Sequence, residues 1–497
     1  MLIPNSCNGS NISNRKLLRT ATLTAAAPLA LSARSLAATN AAARNEHVGQ
    51  RGFEKNQNFL ESARDAALRI ETRAHELDER GVYWLPESDP VEKAVAGLAR
   101  NGIFSATADT VLFLIQLANA TGEGHYLKTA SLGADYLVAT WRELVDKPEK
   151  GLLSGQSSNL SLYGGLAGVA YVLNEAGKAT SKKKYCEAAR TATDYIVRAA
   201  KAVGMGLAWS EAPGISGDGS IVLYLLYAAR EFECALYGIT AERAGVHILE
   251  IANSDRFGGF SWRGFPAFPG LPMDAYLPAF EDATAGIVYV FARLYSETNQ
   301  TRFLFAANQG ALHLQRVTTS SSKGELISHP LSDLPDLYYV GFCHGPAGTA
   351  RAFFELYKIT REPVYQMWAE RMAQKALQFD TPGNPTPGCW SVVCQCCGSP
   401  AVIDLFVEMW AFTKRLDYLA TAQCAASHLV NQETNSNVTR ARKVQTRASA
   451  DPQEESSVTD QFAGAPGVGS AFLRLHLAIN GKYSSVCFPD NGMAKAW

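Results

Sequence analysis

Apolar positions along this chain come in blocks. A cluster of small residues gives way to a nearly unbroken apolar run. A polar break follows, and then a stretch whose apolar residues recur at helical spacing. Two blocks show the pattern clearly. Gly164-Gly165-Leu166-Ala167-Gly168 leads into Val169-Ala170-Tyr171-Val172-Leu173, and His344-Gly345-Pro346-Ala347-Gly348 leads into Thr349-Ala350-Arg351-Ala352-Phe353-Phe354. Strand-like alternation is scarce. The pattern predicts pairs of helices, the first apolar all round and therefore enclosed, the second amphipathic and therefore outside.

Five weaker copies complete the set. Ala106-Thr107-Ala108-Asp109, Gly217-Asp218-Gly219-Ser220, Ala283-Thr284-Ala285-Gly286, Gly398-Ser399-Pro400-Ala401 and Gly464-Ala465-Pro466-Gly467 each precede an apolar run. The turns recur at roughly 50 to 65 residues, a period that holds two helices. Two further segments, Ala120-Thr121-Gly122-Glu123-Gly124-His125-Tyr126-Leu127 and Lys358-Ile359-Thr360-Arg361-Glu362-Pro363-Val364-Tyr365, read as turns that open the outer helix. The expected architecture is all-α, an α/α toroid of seven inner helices ringed by seven outer ones. Small residues at the helix entries would let the backbones converge, and glycine would also accept a positive φ.

The 497 residues carry 46 basic and 47 acidic side chains, with 47% hydrophobic and 19% charged residues. That is globular composition with ample apolar material for a large core. No basic run supports nucleic-acid binding, and no apolar run is long enough to span a membrane. The start of the chain differs. Asn14-Arg15-Lys16-Leu17-Leu18-Arg19 leads into an Ala/Leu/Thr stretch, and Ser35-Leu36-Ala37 offers a small-x-small cleavage site. This is the organisation of an export signal, similar to a twin-arginine leader with Asn14 in place of the first arginine. Residues 1–38 are therefore expected to be leader, or else a disordered Ala-rich tract, and 39–100 an N-terminal helical segment. The toroid is expected over 101–497. An exported monomer is expected, with a cytoplasmic one as the alternative. Asn58 to Leu77 has a helical pattern that would pack outside or lead into the outer layer.

Ten cysteines stand in the chain. Cys186, Cys234 and Cys424 sit in apolar helical patterns and read as core thiols. Cys343 and the vicinal pair Cys396-Cys397 each stand just before a small-residue turn, in Gly341-Phe342-Cys343-His344-Gly345 and Cys394-Gln395-Cys396-Cys397-Gly398. Neighbouring repeats of a toroid would bring these turns together at one rim. Three thiolates with tetrahedral reach suit zinc and leave a fourth position open, as catalytic zinc sites do. A disulfide or isolated thiols would account for the same residues. Cys389 and Cys394 would pair with each other or with Cys487, or supply an alternative ligand.

These motifs together resemble the lanthionine synthetase C-like family: seven Gly-rich turns, Phe-Cys-His-Gly in one and Cys-Cys-Gly in the next, from roughly Gly102 onwards. The resemblance implies a sevenfold α/α toroid. It also implies a zinc site that activates a cysteine thiol for addition to a dehydroamino acid, forming a thioether. The family's Cys and Cys-His ligands fall on Cys343, Cys396 and Cys397, with cysteine where histidine is usual. Zinc would deprotonate a bound thiol outright, and three cysteine ligands would raise the nucleophilicity of a fourth sulfur. Two departures bear on catalysis. Asp282 stands where the family cyclases carry an acid–base histidine, and Pro213 stands where they carry an aspartate, with Glu211 and Asp218 close by. The expected acid–base groups are thus Asp282 and His344, for which the competing roles are helix capping and orientation of the turn.

Three functions compete at this point. One is thioether formation on a peptide or a small-molecule thiol. The second is a zinc-binding toroid that recognises such ligands without catalysis. The third, a glycan-active toroid, needs carboxylates paired across a cleft, which the adjacent Glu281-Asp282 supply poorly.

Overall fold

In the computed structural model the chain divides into two compact units at Gln57/Asn58. The described residues all lie in the second: 58–84, 107–146, 159–264, 278–281, 283–321, 324–326, 338–339, 341–379, 389–390, 395, 398–435, 443–444, 456–457, 465–483 and 488. The expected leader therefore lies outside them.

Fifteen helices are described. A first group is apolar along nearly its whole surface: α2 (Thr107–Thr121), α5 (Leu166–Thr180), α7 (Asp218–Glu231), α9 (Thr284–Thr298), α11 (Pro346–Thr360), α13 (Ser399–Thr413) and α15 (Ala465–Ile479). Each packs on the next, and α15 packs back on α2, so the ring closes. The partners on the outside are α3 (Gly124–Thr140), α6 (Lys183–Ala199), α8 (Ala235–Glu250), α10 (Thr301–Val317), α12 (Pro363–Phe379) and α14 (Leu416–Asn435), with α4 (Glu143–Asp146) a single turn after α3. The seventh outer position is taken by α1 (Phe59–Glu71), which packs against α15. α1 and α15, far apart in sequence, thus pair side by side, and α1 completes the outer ring. No helix among the described residues is long and apolar enough to cross a membrane.

Two local devices recur. At the far end of the inner helices, Thr121, Thr180, Thr298, Thr360 and Thr413 each donate to the carbonyl four residues back. Each then accepts the amide two residues ahead, at 3.2–3.4 Å. The residue between turns left-handed, with φ of +75° at Gly122 and +55° to +62° at Ser181, Asn299, Arg361 and Lys414. This satisfies the orphan carbonyls of the helix end and reverses the chain into the outer helix.

The second device returns the chain inward. Short hairpins pair His75–Glu76 with Val82–Tyr83, Lys201–Val203 with Gly206–Ala208, and Asn253–Ser254 with Phe260–Ser261. Each ends in a tryptophan three residues after a glycine: Trp84, Trp209 and Trp262. Their indoles donate to Ile70, Ile196 and Ile248 in the preceding outer helix at 2.7–2.9 Å. Their backbone amides are taken up by the first residue of the following inner helix, Thr107 at 3.2 Å, Asp218 at 3.0 Å and Thr284 at 3.3 Å. The outer ring is sewn as well: Tyr185 donates to Asp135, Tyr237 to Asp194, Tyr365 to Asn308 and Tyr418 to Glu370, one repeat back each time.

Asp218 is the charged member of the tryptophan set, and it is 2% exposed. Burial pushes its carboxyl up to about 6, against the opposing pull of bonds from Ser210 and the Trp209 amide. A raised carboxyl favours the folded state while protonated. Its cost therefore appears as pH rises from about 4 to about 6, and reaches roughly 3 kcal/mol at neutral pH. Denaturation midpoints of Asp218→Asn should be flatter than wild type across that window; parallel curves would count against the assignment.

Candidate metal centre at the helix-entry rim

The inner helices begin at one rim, and the entries of neighbouring repeats are lashed by backbone and side-chain bonds. Leu162 before α5 donates its amide to Ser220 Oγ in α7 at 3.0 Å. Ser216 before α7 donates to the Glu281 carbonyl at 2.9 Å, and the amides of Phe280 and Glu281 both donate to the Cys343 carbonyl at 3.0 Å. Three turns, centred on Ser216, Glu281 and Cys343, are thereby fixed in register across gaps of some 60 residues each.

Glycines permit this crowding. A Cβ on Gly286 would lie 2.0 Å from the Phe280 carbonyl oxygen, and one on Gly348 would lie 1.9 Å from that of Phe342. Neither residue has a positive φ. The glycines at these entries serve close approach, and the expectation of left-handed backbone there is corrected.

Around the rim lies an aromatic layer. Phe280 and Phe342 meet edge-to-face with ring centres 4.8 Å apart, Tyr163 touches Phe342 at 6.1 Å, and Tyr289 touches Phe280 at 5.6 Å. The Arg351 guanidinium lies 5.2 Å from the Phe342 ring centre and 5.7 Å from that of Phe280. This layer supports the two residues that follow those rings in sequence.

Those residues, Glu281 and Cys343, join His344 in one cluster. A carboxylate oxygen, a sulfur and an imidazole nitrogen lie within 4.8 Å of one another. Cys343 and His344 are 2% and 7% exposed, while Glu281 is half-buried and forms the open side. Carboxylate, thiolate and imidazole are the donors that zinc takes, so the residues suit a metal ion. Cys343 stands here as a disulfide-bonded residue. Its sulfur becomes a ligand only in the reduced, deprotonated form.

Of the residues singled out from sequence, Cys343 and His344 are brought together at this rim. Asp282, Cys396 and Cys397 lie outside the described residues, as do Cys394 and Cys487. The segments before the two cysteine turns are nonetheless joined: Tyr338-Tyr339 pairs in parallel with Cys389-Trp390, and α11 packs against α13. Glu281 was not foreseen as a donor. Alignment by the turn glycine pointed to its neighbour Asp282, and the signal available was the adjacent carboxylate pair itself. Two cysteine expectations are corrected. Cys234 is disulfide-bonded rather than a free core thiol, and Cys424 is free but exposed, because it falls on the outward face of α14. Cys186 is free and half-buried against α5, with burial pushing its thiol up.

A family model for lanthionine synthetase C-like protein matches residues 156–440. The chain belongs to the lanthionine synthetase C-like family. Among solved structures it is similar to nisin cyclase, at 13% identity, with 85% of this chain and 96% of that one covered and a TM-score of 0.58. A GH76 α-mannanase of Bacteroides thetaiotaomicron is similar at 12% identity over 86% of this chain and 97% of its own, with a TM-score of 0.42. An unsaturated glucuronyl hydrolase specific for heparin follows at 13% identity, 65% and 84% coverage and a TM-score of 0.39. No curated protein matches the sequence. For a chain of this family, the nisin cyclase likeness agrees with the α/α-toroid fold built above.

Proposed function

We propose that this lanthionine synthetase C-like chain binds zinc at the helix-entry rim and adds a thiol to a dehydroamino acid of a peptide, forming a thioether. The observation that carries the reading is the Glu281–Cys343–His344 donor cluster, in a chain of this family that is similar to nisin cyclase. The proposed ligands are Cys343, Cys396 and Cys397, with Glu281 and His344 beside the metal as acid–base groups rather than on it. The parallel pairing of Tyr338-Tyr339 with Cys389-Trp390 supports the three cysteines, because it starts both ligand-bearing segments side by side. Zinc would supply a substrate sulfur held as thiolate at neutral pH.

The remaining work falls to this chain's own residues. The substrate S–H gives up its proton, the sulfur's electron pair forms the bond to the β-carbon, and the displaced π pair leaves an enolate whose α-carbon must be protonated. No atom is lost. Glu281 stands at the open side of the cluster, where it can take the thiol proton, and His344 or Asp282 is the proposed donor to the α-carbon. The aromatic layer and Arg351 hold the turn that carries Cys343.

Metal uptake by the reduced protein, followed by elemental analysis, tests the first half. Wild type should take up one zinc only after reduction, and Cys343→Ala should take up none. A dehydroalanine peptide incubated with a separate thiol tests the second half, since the adduct adds the thiol's mass. Glu281→Ala should lower its rate by roughly 100-fold or more. Zinc retained with no adduct in wild type would overturn the reaction and leave a binding toroid. A metal-free reduced protein would overturn both halves.

A further inference from the structure

We propose that the barrel carries a subsite for an aromatic side chain of the peptide substrate, and that the chain's own Phe488 occupies it at rest. The proposal deepens the peptide-modifying reading and rests on it for the identity of the ligand.

Phe488 stands nine residues beyond the end of α15 and belongs to no helix or strand. It nevertheless enters a wall of the toroid. Its ring meets Tyr171 edge-on, with centres 5.4 Å apart and planes at 88°, and meets Tyr163 at 5.4 Å and 44°. Tyr171 lies in the second turn of α5, and Tyr163 in the turn that opens the same helix. Tyr171 is backed in turn by Tyr227 of α7 at 4.9 Å. Among the described residues, the wall behind Phe488 is thus three tyrosines from two adjacent inner helices and their entry turn.

Two features set this contact apart from ordinary core packing. The host rings are closed off, with Tyr163 1% and Tyr171 0% exposed, while Phe488 itself is part-exposed. Removing Phe488 would therefore open a rigid aromatic cavity with a route to solvent, instead of a sealed void. The wall that holds Phe488 also leads to the proposed reaction centre through ring contacts: Tyr163 touches Phe342, and Phe342 precedes Cys343. A peptide residue held on Tyr163 and Tyr171 would lie two rings from the donor cluster. Edge-on and tilted faces select flat rings by quadrupole and shape, so the ligand class is a phenylalanine, tyrosine or tryptophan side chain. A tethered occupant competes as an intramolecular ligand and lowers the apparent affinity for any rival.

The test uses the full-length protein and two labelled linear peptides, one with a single phenylalanine and one with alanine in its place. Phe488→Ala should bind the phenylalanine peptide about tenfold more tightly than wild type does, with the alanine peptide unchanged. Equal affinities would overturn the proposal. If that variant is poorly folded, a single 4-fluorophenylalanine at position 488 keeps the native ring. Its fluorine resonance should move on adding the phenylalanine peptide and stay fixed with the other; no movement at saturation overturns the subsite. Binding is measured with and without zinc. A Phe488 response without thioether formation would sink the reaction alone, and thioether formation with an unresponsive Phe488 would sink the subsite alone.

Discussion

Gly348→Ala should unseat the turn that carries Cys343, at a cost of about 3 kcal/mol or more. Overpacked sites ordinarily cost about 1–3 kcal/mol when side chains can move aside. Here the obstacles are fixed: the added methyl would lie 1.9 Å from the Phe342 carbonyl oxygen, 3.0 Å from its carbonyl carbon and 2.7 Å from the Phe280 Cβ. Relief requires moving the 341–345 backbone away from α11. That displaces the Cys343 carbonyl, which accepts the amides of both Phe280 and Glu281. The damage is then shared by two repeats and by the donor cluster between them. Gly164→Ala is the control, since its methyl would meet only Ser161 Oγ at 3.8 Å. It should fall within about 0.5 kcal/mol of wild type. Urea denaturation gives the stability, and zinc content of the folded, reduced protein gives the site. An unchanged midpoint together with full metal uptake in Gly348→Ala would show that the rim does not depend on this close approach.

The same glycines explain what could be read from the sequence and what could not. The repeated small-residue turn followed by an apolar run made the sevenfold ring legible, because the helix entries are local in sequence and each repeats the same steric demand. The turns after α2 and α11 were legible as turns for a similar reason, while the threonine bonds that close them, each within four residues, emerge only from the structure. Closure of the ring was only half legible. The helical pattern after Asn58 was visible, but its partner α15 lies some 400 residues away. Glu281 shows the same limit at the site. Its place in the donor cluster comes from a backbone bond to Cys343, and nothing in its own neighbourhood distinguishes it from Asp282. The tryptophan device was present as glycine, two residues, tryptophan at three places, yet its meaning depends on a carbonyl in the preceding helix and a side chain in the following one.

Glu355→Ala should be the most damaging single change within the barrel wall, at about 3–5 kcal/mol. Glu355 is 2% exposed and sits between two cations, with Arg293 Nη1 of α9 at 3.1 Å and Lys358 one turn on in its own helix. The chain of charges continues both ways. Arg293 also reaches Glu297, which meets Arg230 of α7, and Lys358 reaches Glu408 of α13 at 2.9 Å, with Arg351 3.7 Å from the same carboxylate. Burial alone would raise the Glu355 carboxyl, but Lys358 and Arg293 outweigh it and hold the group below the ordinary glutamate value. Lys358 is lifted by its two carboxylates despite burial. Removing Glu355 leaves two enclosed cations sharing carboxylates already engaged, so the penalty is that of an uncompensated buried charge. Glu355→Gln should cost nearly as much, because what is lost is charge rather than volume. High salt should not restore either variant, since an enclosed network is little screened. The pH dependence follows from the two directions. A lowered carboxyl contributes stability above the unfolded glutamate value near 4.3 that is lost as pH falls, and a raised ammonium contributes below about 10.4 that is lost as pH climbs past its folded value. Wild type should therefore show a steeper acid limb below about pH 4.3 than Glu355→Ala does. Superimposable acid limbs, or a loss under about 1 kcal/mol at neutral pH, would show that the inner helices are held by their apolar faces alone.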